Sequence, residues 1–165
     1  MTIGLYAATV PTLLQVVASV LGLLAKTPEV LLGASLAPDM FPFPFQVKQV
    51  AVHSAGAIAA VKAGVFSPDI APPPTDIAGL DTLLADADAS LAALDPAEVD
   101  VLAGVPMQFR FRDRSMDFTG ADFLLSFSQP NFFFHASMVY ALLRSHGVPV
   151  GKRDFMGAVR ISAPA

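Results

Sequence analysis

The chain has 165 residues, 54% of them hydrophobic and 15% charged, and a net charge of −4. Length predicts one domain, 1–165, and the apolar surplus has to be hidden in a wide core, a subunit interface or a membrane. The acidic balance offers nucleic acid no cationic face, and the absence of cysteine excludes disulfides, thiolate metal sites and a thiol nucleophile.

Residues 2–25 carry no charge and are long enough to cross a bilayer. Pro11, Gln15 and several hydroxyl side chains interrupt the run, and no Lys or Arg precedes it as in a secretory signal. Leu5, Leu13, Val16, Val17, Val20, Leu23 and Leu24 recur at intervals of three and four, the period of a helix with one buried stripe. The expectation is a core helix, kinked or started at Pro11, in a cytoplasmic protein with no membrane partner.

A proline-punctuated entry at 36–45 leads into a second helix from about 43 or 44 to 63, stopped by Gly64. Phe45, Gln49, Val50, His53, Ala57, Ile58 and Val61 share one of its faces. Three consecutive prolines make 65–74 a loop, and Thr75 or Asp76 caps a third helix with a stripe from Ile77 to Leu94. Residues 107–112 alternate apolar and polar and 116–118 can return beside them, a β-hairpin. Thr119 with Asp122 forms a capping pattern for a last helix over 120–145, bent at Pro130 and stopped by Gly147, with coil beyond. Four long helices with short connections predict an all-α fold, an antiparallel four-helix bundle with a small β-hairpin insertion before the last helix.

The chemistry concentrates on two helices. Asn131 and His135 lie four apart in Asn131-Phe-Phe-Phe-His135, on one stripe with Phe127, Met138 and Leu142. His53 lies on the inward stripe of the second helix, where antiparallel packing can set it opposite them. Gln46 and Gln49 precede it and extend the polar cluster. The candidate pocket adds Gln49, Phe127, Met138 and Asp39, the last at the pocket mouth or as acceptor for a histidine N–H, or else capping the turn before Phe41. Three readings stay open for His53, His135 and Asn131: ligands of a divalent metal, a metal-free acid/base pocket, or a buried network that fixes helix register. His146 reads as a helix C-terminal cap. Tyr6 and Tyr140 read as core, and Arg110 and Arg112 as a solvated face of the hairpin.

The last helix resembles that of the DinB/YfiT-like superfamily, in which a His-x-x-x-His pair precedes an apolar run ending Leu-Leu-Arg-x-x-Gly. Here Asn131-Phe-Phe-Phe-His135 stands at the pair and Leu142-Leu-Arg-Ser-His-Gly147 supplies the ending, while His53 corresponds to the third ligand. The segments Leu32-Gly-Ala-Ser-Leu-Ala-Pro-Asp-Met-Phe-Pro42, Gly120-Ala-Asp-Phe-Leu-Leu125 and Gly147-Val-Pro-Val-Gly-Lys-Arg-Asp-Phe155 are similar to an uncharacterised bacterial and fungal branch, a domain of unknown function. The resemblance implies a four-helix bundle, often a homodimer, with a divalent metal such as Zn or Ni held by three histidines, and thiol-dependent transferase or related chemistry on a small molecule. With Asn131 at one ligand position, it implies a degenerate His/Asn/His site. The competing expectation is a non-enzymatic ligand-binding or scaffold homodimer whose metal site has decayed.

Overall fold

The computed structural model describes residues 3–162. They are mostly helical, with one small three-stranded sheet. Helix α1 (Leu5–Leu24) buries Leu13, Val16, Val17, Val20, Leu23 and Leu24, the stripe its period predicts. It is long and apolar enough to cross a membrane, with a mean hydropathy of 1.9 over its best window. Half of that window is buried inside the fold, so the helix serves as a core element. Pro11 does not start the helix, which begins six residues earlier and continues through it. Asp100 caps that beginning, accepting the Tyr6 N–H at 2.8 Å. A Cβ on Gly4 would lie 2.5 Å from its carboxylate, so the close approach requires glycine there.

The second rod consists of α2 (Phe43–Ala51), a wide π-helical turn Val52–Gly56 and α3 (Ala57–Ala63), and Gly64 ends it at φ 77°. Strand β1 (Val65–Phe66) follows. The proline loop then leads to α4 (Ile77–Ala92), whose first turn Asp76 caps by accepting from the Gly79 N–H at 2.7 Å. After α5 (Pro96–Asp100) come β2 (Pro106–Phe111) and β3 (Arg114–Thr119), paired antiparallel from Pro106↔Thr119 to Phe111↔Arg114. The hairpin is the one expected. The parallel pairing of β1 with β2 at Val65↔Gln108 and Phe66↔Phe109 is an addition to the all-α expectation, and a two-residue strand leaves no alternation to read in sequence.

Thr119 caps the last rod, accepting from the Asp122 N–H at 3.1 Å and donating to its carboxylate at 2.8 Å. That rod is α6 (Gly120–Asp122), a second π-helical turn Phe123–Ser128 and α7 (Gln129–Ser145). It ends where His146 Nδ1 donates to the Leu142 carbonyl at 2.9 Å and Gly147 turns at φ 76°. The tail is not all coil: α8 (Lys152–Met156) packs against α1. Helices α1, α2, α4 and α7 enclose one hydrophobic core, with α2 packed against both α4 and α7. The sheet lays Phe66, Phe109 and Phe118 against Phe123 and Phe127, with ring centres 5.2–6.3 Å apart. This aromatic block walls one side of the candidate site.

Candidate functional site

Gln46, Gln49 and His53 follow one another at intervals of three and four, so they share a face along the second rod. That rod packs on α7, and the contact sets His53 beside His135: the ring centres are 6.0 Å apart and the planes lie within 10° of parallel. His53 is 7% exposed and His135 is half-buried.

Hydrogen bonding fixes which nitrogen of each ring is free. Gln46 donates its Nε2 hydrogen to the Phe41 carbonyl at 2.8 Å, which leaves its Oε1 to face His135 Nδ1 at 2.8 Å. An amide oxygen only accepts, so His135 Nδ1 carries the proton. Ser128 donates its hydroxyl to the His53 carbonyl at 3.0 Å, and its lone pair therefore meets a protonated His53 Nδ1 at 3.3 Å. Both Nε2 atoms keep an unshared lone pair. Among the described residues no buried side-chain nitrogen or oxygen lacks a partner, so these Nε2 atoms are not fully sealed in.

The charge state agrees. Burial, and after it the neighbouring His135, lower the His53 pKa from 6.5 to about 4. Burial alone brings His135 down to about 4. Both rings are neutral at pH 7, the form in which imidazole ligates a metal or accepts a proton.

Both partners of this pair come from irregular helix. His53 sits inside the first wide turn, where the Ala57 N–H donates to Ser54 O. Ser128 closes the second, where the Gln129 N–H reaches five residues back to Leu124 O. Pro130 follows directly and has no N–H for the carbonyl four residues before it, which the wide turn accommodates. Widened turns of this kind recur at functional sites.

An apolar groove of about 630 Å³ lies alongside. Phe41, Pro42, Phe45, Gln49 and Phe111 line it with the 68–73 loop. Phe45 faces the groove and also meets the His135 ring edge-on at 6.1 Å.

The model of the family described as a domain of unknown function (DUF1993) matches residues 5–156. The chain belongs to the DUF1993 family. The crystal structure of a DinB family member protein from Shewanella denitrificans, at 1.83 Å resolution, is similar, with a TM-score of 0.80 and 25% identity. The match covers 97% of this chain and 96% of that one. No curated protein matches the sequence.

In this DUF1993 chain the two histidines come together, while the other expected site residues are scattered around them. Asn131 is half-buried on α7 and donates its Nδ2 hydrogen to the Phe127 carbonyl at 2.7 Å; it bonds to neither imidazole. Phe127 stands 6.1 Å from the His53 ring, and Gln49 opens into the groove. Met138 is half-buried on α7 and lines neither the groove nor the small recess beside His53. Asp39 is a correction: it is exposed on its turn, does not line the groove, and accepts from no histidine. Gln46 and Ser128 hold the acceptor roles considered for it. Ser128 and the groove walls other than Gln49 went unanticipated, and the one signal for Ser128 was its place two residues before Pro130.

Proposed function

We propose that this DUF1993 protein is a small-molecule enzyme of the DinB/YfiT kind, built on an antiparallel four-helix bundle, with His53 and His135 as its chemical centre. The observation that carries this reading is the pair of neutral imidazoles, 6.0 Å apart, with both Nδ1 protons tied down and both Nε2 lone pairs free. A ligating histidine needs its other nitrogen held in this way.

The donor set fits a divalent ion such as Zn or Ni. Two rings bound to one tetrahedral ion through Nε2 at about 2.0–2.1 Å would have centres about 5 Å apart, and these stand at 6.0 Å, so binding would draw the rings together by roughly 1 Å. Asn131, one helical turn before His135, leaves its Oδ1 unengaged, and an amide oxygen there would be the weaker third donor. When bound, such an ion would supply Lewis-acid chemistry, with His53 and His135 as the residues that would hold it. The residues hold two neutral imidazoles at fixed orientation, with the Phe66 and Phe127 rings 5.5 and 6.1 Å from that of His53. The reading has the protein working as a cytoplasmic homodimer; Leu125 and Phe134 are exposed apolar side chains of the last rod.

The test is elemental analysis of purified protein, with about one Zn or Ni per chain expected and its loss expected in His53→Ala and His135→Ala. Protein that takes up neither ion when both are supplied refutes the metal reading. A second reading has its own support: among the described residues no group of three His, Cys, Asp or Glu side chains comes together, and Asn131 spends its amide hydrogen on the backbone. In that case the chain is a metal-free ligand-binding or scaffold homodimer, and His53→Ala changes stability alone.

A further inference from the structure

Gln49 is 7% exposed, and its carboxamide has no hydrogen-bond partner among the described residues. Its polar atoms are not sealed in, because no buried side-chain nitrogen or oxygen is left unsatisfied. They open into the 630 Å³ groove. The carboxamide thus offers an unengaged donor and acceptor at the wall of a space lined mostly by Phe and Pro, with Asp69 the one other polar side chain on it. On its own helix it lies between Gln46, which holds His135, and His53.

We infer that this groove binds an uncharged, largely aromatic small molecule, which lays its faces against the Phe and Pro walls and sets one polar edge on the Gln49 carboxamide. The inference goes beyond the reading above and does not depend on it: neither His53 nor His135 lines the groove, and Phe45 is the lining residue that meets the His135 ring. The volume lies within the range of about 300–1,000 Å³ usual for small-molecule pockets. Phe41 and Phe45 stack with ring centres 4.0 Å apart and supply an aromatic wall. Asp69 is the one charged residue on the lining, and Lys48 Nζ engages its carboxylate at 2.9 Å. A cation therefore finds its counter-ion taken, and an anion finds a carboxylate. Lys48, itself 5% exposed, also donates to the carbonyls of Asp69 and Ala71 at 3.3 and 2.5 Å. That clip and the ring-locked prolines hold the opposite wall in place before any ligand arrives, which lowers the entropy lost on binding.

The probe is N-phenyl-1-naphthylamine, a neutral aromatic amine that brightens in apolar surroundings, titrated into the full chain. Saturable binding at one site is expected. Ile70→Asp alters a side chain that is 84% exposed, so the thermal melt should hold while affinity falls about tenfold or more. Gln49→Leu should weaken the amine about tenfold yet leave competition by naphthalene, which has no polar edge, within about twofold. His53→Ala should bind the probe as wild type does. The inference is overturned by a probe that never saturates, or by variants at Ile70 and Gln49 that bind it unchanged. It is also overturned if Ile70→Asp splits a dimer in sedimentation velocity and that dimer binds no probe, since the groove then belongs to a second copy. Normal probe binding in protein that takes up no Zn or Ni removes the metal reading and leaves the groove standing.

Discussion

Gln46 Oε1 lies 2.8 Å from His135 Nδ1, across the contact between α2 and α7, and this bond decides which face of His135 is chemically available. The same amide is fixed at its other end by the Phe41 carbonyl, so it cannot flip without losing a partner. One glutamine thus orients the imidazole and ties it to the segment that begins the groove.

Replacing that glutamine separates positioning from packing. Gln46→Glu puts a carboxylate against the His135 N–H, and the His135 pKa should rise from about 4, because an adjacent negative charge favours the imidazolium. Gln46→Met keeps the volume and removes the acceptor, and zinc affinity should fall about 10- to 100-fold. NMR titration of the ring and calorimetric zinc titration read the two effects. A pKa unmoved by the carboxylate contradicts the assigned bond.

The histidines make stability depend on pH in a stated window. Both pKa values are lowered from 6.5 to about 4 in the folded chain. Below pH 6.5 the unfolded chain binds protons that the native chain refuses. The contribution is therefore fully present above pH 6.5 and is lost as pH falls toward about 4, at up to about 1.4 kcal/mol per pH unit for each ring. Urea unfolding at pH 7 and pH 5 should show this loss, and a flat profile across that interval would refute it.

Ser128→Ala removes the hydroxyl that serves both the His53 carbonyl and its Nδ1–H. A buried donor left without a partner costs about 1–3 kcal/mol. Unfolding midpoints in urea should drop accordingly, with the slope unchanged.

At Gly120 an added Cβ would fall 2.2 Å from the Leu102 carbonyl and 2.8 Å from Val61. Gly120→Ala should destabilise the chain by about 1–3 kcal/mol through overpacking. Thermal unfolding of the variant checks it, and a wild-type melt would put the start of the last rod elsewhere.

Much of this was legible from period and capping. The α1 stripe, the Gly64 stop, the Asp76 and Thr119 caps and the hairpin follow from local chemistry that tertiary packing reinforces. The face of the last helix was less clear. Phe127, Asn131, His135, Met138 and Leu142 read as the core stripe; Leu142 is buried, yet the other four are half-buried, and Ser128, Phe132, Ala136, Val139 and Leu143 form the deepest one. Phe132, Phe133 and Phe134 make the helix apolar all round, so periodicity could not choose between adjacent stripes. The wide turns were invisible because a π-helical turn has no composition of its own. The groove combines distant segments, and Lys48 gave no sign of pinning a loop twenty residues on.

The most direct test of the central claim is long-range 1H–15N correlation NMR of the imidazoles at pH 7, with zinc then titrated in. His53 and His135 should be neutral with the proton on Nδ1, and both Nε2 resonances should shift together as zinc is added. Rings that are protonated on Nε2, carry charge at pH 7, or respond to zinc one without the other would contradict it.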